Sequence, residues 1–61
     1  MKTFAIDLEP FSEEICRIME EVQDGHHGHI VEFEGNNEFH CAQRIGKLLV
    51  PFIKSQLKEI K

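Results

Sequence analysis

The residues best suited to chemistry lie near the middle of the chain, in His26-His27-Gly28-His29. Three imidazoles within four residues, with His40 and Cys41 further on, supply the nitrogen and sulfur donors that zinc or nickel takes. Neutral imidazole binds through one ring nitrogen, and the glycine between ligands lets the backbone bend towards a common point. For a zinc-like ion this pattern predicts His27, His29 and either Cys41 or His40 as ligands. The spacing matches no established zinc motif and no Cys-x-x-Cys pair accompanies it. A solvated polar turn without a cofactor is therefore the primary expectation, and a metal module is an alternative.

Nucleophilic catalysis needs a nucleophile, a base and an orienting group in contact. His40 and Cys41 are only neighbours in sequence. Adjacent residues point to opposite faces of a strand, or about 100° apart on a helix, so adjacency argues against a dyad. The glycines at 25, 28, 35 and 46 form no phosphate-cradling pattern. A chain of 61 residues also has little room for a ligand pocket of about 300 Å3 or more within one subunit. The expectation is a protein without enzymatic activity.

Charge divides the chain. Of 11 acids, ten lie between Asp7 and Glu38, whereas five of the seven bases, Arg44, Lys47, Lys54, Lys58 and Lys61, lie in the last eighteen residues. On a continuous helix those five bases fall in a narrow stripe beside an apolar face, with His40 joining if the helix starts early. Such a stripe is a candidate interaction surface for an acidic protein groove, a nucleic-acid backbone or an anionic membrane. The net charge of −4 and the scarcity of aromatic residues among the bases, Phe52 alone, argue against nucleic acid. A core this small needs the apolar face for itself, which argues against a membrane. The acidic front suggests nucleic-acid mimicry only weakly, because Glu13, Glu14, Glu20 and Glu21 are ordinary solvent-facing helix residues.

These groups must be positioned by elements that the periodicity makes visible. Lys2 to Leu8 alternates, with Phe4, Ile6 and Leu8 on one side and Thr3, Ala5 and Asp7 on the other, as a strand with one buried face requires. Glu9-Pro10 ends it. Phe11, Ile15, Ile18, Met19 and Val22 then keep helical offsets, predicting a helix over about 11–24. Ser12 is placed to cap it, or Pro10 to occupy its first turn. Gly25 stands where a left-handed terminating residue is expected.

The next segment, 25–28, reads as a loop, and His29 to Glu34 alternates as a second strand, with His29, Val31 and Phe33 on one face. Gly35-Asn36-Asn37 is turn chemistry. Residues 38–42 fit either a short third strand or the start of a helix capped by Asn36 or Asn37; the spacing of Phe39, Ala42 and Ile45 favours the helix. A final helix carries Ile45, Leu48, Leu49, Phe52, Ile53, Leu57 and Ile60 on one broad side. Pro51 should kink or split it near Val50, and Gly46 weakens it.

The expected fold is one α+β domain over 1–61, with a small two- or three-stranded sheet and two helices on one face, in the order strand-helix-strand-(strand)-helix. An apolar fraction of 41% is enough for a compact core. A chain this short nevertheless buries only about 60% of its unfolded surface, so its stability is marginal alone. The periodic apolar positions, from Phe4 to Ile60, are more than a two-layer, two-helix unit easily hides, which predicts a homodimer. Lys2 and Asp7 bracket too short an apolar stretch for a signal peptide, and no run approaches the roughly 20 residues that cross a bilayer. Cys16 and Cys41 are read as free thiols of a reducing cytoplasm. Together these readings describe a small acidic binding or regulatory protein of the cytoplasm, acting through protein–protein contacts. Metal binding at the histidine loop and nucleic-acid binding by the basic helix are the alternatives.

Overall fold

The computed structural model describes residues 1–60. Lys61, expected among the basic interaction residues, lies outside the described residues. The elements run β1 (Lys2–Asp7), α1 (Glu13–Val22), β2 (Gly25–His27), β3 (Ile30–Gly35), α2 (Glu38–Ile45), a 3-10 turn (Lys47–Leu49), α3 (Val50–Gln56) and β4 (Lys58–Glu59). The four strands form one antiparallel sheet in the order β2-β3-β1-β4. The α+β expectation holds, with more elements than expected: four strands and three α-helices among the described residues.

The core follows from the alternation. Antiparallel register places Phe4 opposite Phe33 and Ile6 opposite Val31, so all four side chains leave the sheet on one side. There they meet Met19 of α1, Cys41, Ala42 and Ile45 of α2, and Ile53 and Leu57 from the last helical segment. Each fully buried Phe, Met or Ile contributes about 1.5–3 kcal/mol relative to exposure. The helices cover that side alone. Thr3, Ala5 and Asp7, with Ile30, Glu32 and Glu34, form the opposite side of the sheet.

Local chemistry explains most boundaries. The Ser12 hydroxyl accepts from the Ile15 N–H at 3.5 Å, so α1 starts at Glu13, with Glu13 and Glu14 at the positive end of its dipole. The Asn37 side chain accepts from the His40 N–H at 3.0 Å, and residues 38–42 are therefore helix. Pro51 sits in the first turn of α3, where its missing N–H costs no helical bond.

Several expectations are corrected. Gly25 is not a left-handed helix stop; it belongs to β2, and the glycine with positive φ is Gly28, at 62°. α1 ends instead at Gln23 in extended conformation, and the Val22 carbonyl accepts from Arg44 Nη2 at 2.8 Å. The expected final helix is three pieces. Gly46 is extended, at φ 177° and ψ 122°, and the break there loses the helical phase that had grouped residues 45–60. Leu48 is accordingly 97% exposed, and Phe39, Phe52 and Ile60 stand 44–49% exposed rather than in the core. Ile18 is also exposed. The separation of the segment into α2, a 3-10 turn, α3 and β4 likewise prevents one continuous basic stripe.

Candidate functional site

The histidine segment is one arm of a hairpin. β2 pairs with β3, placing His27 opposite Ile30 and His26 opposite Val31, and Gly28 makes the turn between them. Each imidazole has its own partner. His26 Nε2 is 2.6 Å from the Gly28 carbonyl, so that nitrogen carries the proton. His27 Nε2 is 3.6 Å from a Glu32 carboxylate oxygen. His29, expected on the buried face of its strand, lies exposed before β3, with Nδ1 3.0 Å from Asp7 Oδ1.

The remaining candidate ligands lie on α2 and do not join this group. His40 is exposed, with its ring centroid 6.1 Å from that of Phe39. Cys41 is fully buried, where desolvation pushes its thiol above the ordinary range. Adjacent helical residues thus face solvent and core, and His40–Cys41 is no dyad. Among the described residues no group of three or more His, Cys, Asp or Glu is arranged to hold a metal ion. Both thiols are free, and the Cys16 thiol donates to the Leu8 carbonyl at 3.4 Å.

The basic residues have separate positions. Arg44 is a clamp at the end of α2. Its Nη1 donates to Asp24 Oδ2 at 2.9 Å and to the Glu34 carbonyl at 3.1 Å, and its Nη2 donates to Val22. This planar fork suits a carboxylate and flanking carbonyls in a way an ammonium cannot. It also holds the Asp24 carboxyl below its usual range. Lys47 lies on the 3-10 turn, Lys54 on α3 and Lys58 on β4, all exposed.

The open side of the sheet was not singled out from the sequence as a site, although the alternation puts its residues on one face. It contains two open hollows. One, of about 400 Å3, is lined by Ala5, Ile6, Asp7, Pro10, Ile30, Gln56, Lys58 and Ile60. The other, of about 440 Å3, is lined by Thr3, Asp24, His27, Glu32, Glu34 and Ile60. Their size exceeds what so short a chain was expected to provide, because a sheet covered on one side leaves broad concave surface. Open relief of this kind, mixing apolar and charged groups, suits contact with a macromolecule better than enclosure of a small substrate.

No helix among the described residues is long and apolar enough to cross a membrane. In comparison with known proteins, the chain matches no family model, no curated protein and no solved structure.

Proposed function

We propose that this chain is a small non-enzymatic binding protein of the cytoplasm, regulating a protein partner by surface contact and working as a homodimer. The observation that carries the reading is what the core leaves out. Ten residues close that core, yet Leu48 is 97% exposed, Phe52 49% and Phe39 44%. Burying such side chains fully would contribute about 1.5–3 kcal/mol each, in a chain whose size leaves little stability to spare. Large apolar groups kept at the surface are the material from which protein interfaces are built. The non-enzymatic part rests on the placement of His40 towards solvent and Cys41 in the core, and on histidines that are each engaged with a different neighbour.

Two measurements test the proposal together. Native mass spectrometry of untagged protein should give a dimer at micromolar concentration. A photo-crosslinking residue at position 48 should capture the same protein in cells as one at position 52, and one at position 13 should not. A monomer whose crosslinks are the same from all three positions would overturn the reading.

A further inference from the structure

Every ion pair among the described residues lies at the sheet or its rim. Lys2 meets Glu59, His27 meets Glu32, His29 meets Asp7 and Arg44 meets Asp24. No charged residue of α1, of the 3-10 turn or of α3 has such a partner among the described residues, and all of them are exposed. These helical segments also differ in sign. α1 carries Glu13, Glu14, Glu20 and Glu21 against Arg17, a net of −3. The 3-10 turn and α3 carry only Lys47 and Lys54, a net of +2.

Apolar residues accompany both signs. Phe11, just before α1, packs edge-on against Phe52 of α3, with ring centroids 5.4 Å apart, and so marks where the two segments meet. Phe52 remains 49% exposed, and Leu48, about one turn before it, is 97% exposed. Ile18, also exposed, lies four residues after Glu14 and three before Glu21, so one side of α1 presents an apolar residue flanked by two acids. Apart from Met1 and Ile60 near the chain ends, the exposed large apolar side chains among the described residues are Ile18, Phe39, Leu48 and Phe52, all on helical segments.

We propose that two copies of this chain pair through the outer side of the helix layer, crossed so that the acidic α1 of each lies on the Lys47–Lys54 segment of the other, with Leu48 and Phe52 covered between them. The inference rests on the homodimer proposed above and assigns its surface to the helices.

The signs of the two segments select this arrangement. A two-fold axis along their boundary, beside Phe11 and Phe52, exchanges the two halves of the face. The net −3 of each α1 then meets the net +2 of the other copy's basic segment, twice over. An axis across that boundary would lay acids on acids and bases on bases, which is repulsive. Beyond the internally paired Arg44, α2 adds Glu38 and His40, too little to reverse either sum. A partner of one sign would satisfy half of this face. A second copy satisfies both halves at once, and it brings the exposed apolar side chains out of water.

Charge exchange between the two segments tests the surface. Sedimentation equilibrium of the full chain should show Lys47→Glu with Lys54→Glu weakening the dimer about 10-fold, and Glu14→Lys with Glu21→Lys doing the same. All four positions are exposed, and far-UV circular dichroism checks that each doubly substituted chain folds. Mixed in equal amounts, the two should recover native affinity within about threefold, because opposite signs again face each other across the axis. Lys58→Glu, on the open side of the sheet, should leave the dimer within about twofold of native. A loss there as large as that from Lys47 and Lys54 would overturn this surface. So would a native dimer that neither exchange weakens, or a mixture that recovers nothing, and each of these results leaves the homodimer reading standing. A native chain that remains monomeric would overturn both.

Discussion

Arg44 Nη1 stands 2.9 Å from Asp24 Oδ2, and the same guanidinium reaches the carbonyls of Val22 at 2.8 Å and Glu34 at 3.1 Å. One side chain on α2 therefore closes the last turn of α1 and ties the chain leading into β2 to the end of β3. The Asp24 carboxylate also accepts the Glu34 N–H at 2.8 Å. A base that the charge pattern groups with an interaction surface is thus spent within the fold, and α1 needs no left-handed glycine to end.

Loss of this clamp should be felt in stability. Arg44→Ala is expected to cost about 1–2 kcal/mol, the range for losing several partly exposed hydrogen bonds. Arg44→Lys should recover less than half, because an ammonium has no planar fork to serve a carboxylate and two carbonyls at once. Urea denaturation measures both. A lysine variant as stable as the native chain would reduce the clamp to its charge.

The same contacts set an acid limb. The Arg44 hydrogen bond, and then the Glu34 N–H, hold the Asp24 carboxyl below its ordinary 3.8. At Asp7 the Glu9 N–H leads, slight desolvation opposes it, and His29 adds to the lowering. A carboxyl whose folded pKa is depressed contributes stability that is present above its unfolded pKa, and that is lost as pH falls through the folded value. Urea midpoints should therefore fall as pH drops below about 4. Asp24→Asn should lower the midpoint at neutral pH and flatten the acid loss; an unchanged slope would remove Asp24 from this role.

Gly35 and Cys41 form a second coupled pair. A Cβ built on Gly35 would lie 2.8 Å from Cys41 Sγ, and Cys41 is fully buried. Gly35→Ala should destabilise by about 1–3 kcal/mol through overpacking. Combined with Cys41→Ala, it should cost less than the sum of the two single changes. Strict additivity in a double-mutant cycle would show that the close approach carries no strain.

The apolar residues after Gly46 should separate by exposure. Leu48→Gln, at a 97% exposed position, should change stability by no more than about 0.5 kcal/mol. Phe52→Ala loses an edge contact with Phe11, ring centroids 5.4 Å apart, and should cost about 1–2 kcal/mol. Ile53→Ala opens the closed core and should cost about 2–5 kcal/mol. Thermal melts of the three variants would refute the assignment if Leu48→Gln proved as costly as Ile53→Ala.

Much of the fold was legible because it rests on local periodicity. Phe4 and Ile6, then Val31 and Phe33, alternate in sequence and are buried in the structure. Ser12 and Asn37 cap the helices that follow them, since a side-chain oxygen three residues before a free N–H needs no distant partner. The α+β class follows from strands and helices read one at a time. β2 was missed because three residues, Gly25–His27, show no period of their own and become a strand only by pairing with β3. β4 was missed similarly: Lys58 and Glu59 continued a helical pattern until Gly46 ended its phase.

By itself the sequence determined the two central strands, the helix that follows Ser12, the lack among the described residues of a stretch long and apolar enough for a membrane-spanning helix, and which residues of β1 and β3 share a face; residues 38–42 it left open between strand and helix. Those properties depend on neighbours a few positions away, and side-chain periodicity encodes them directly. Only the tertiary structure decided that Arg44 is a clamp, that Leu48 stands outside the core, that His27 and His29 engage Glu32 and Asp7 separately, and that Lys58 and Glu34 share an uncovered sheet face. Each of these is a relation between elements distant in sequence. It is set by strand order and by the break at Gly46, which the spacing of residue types along the chain does not specify.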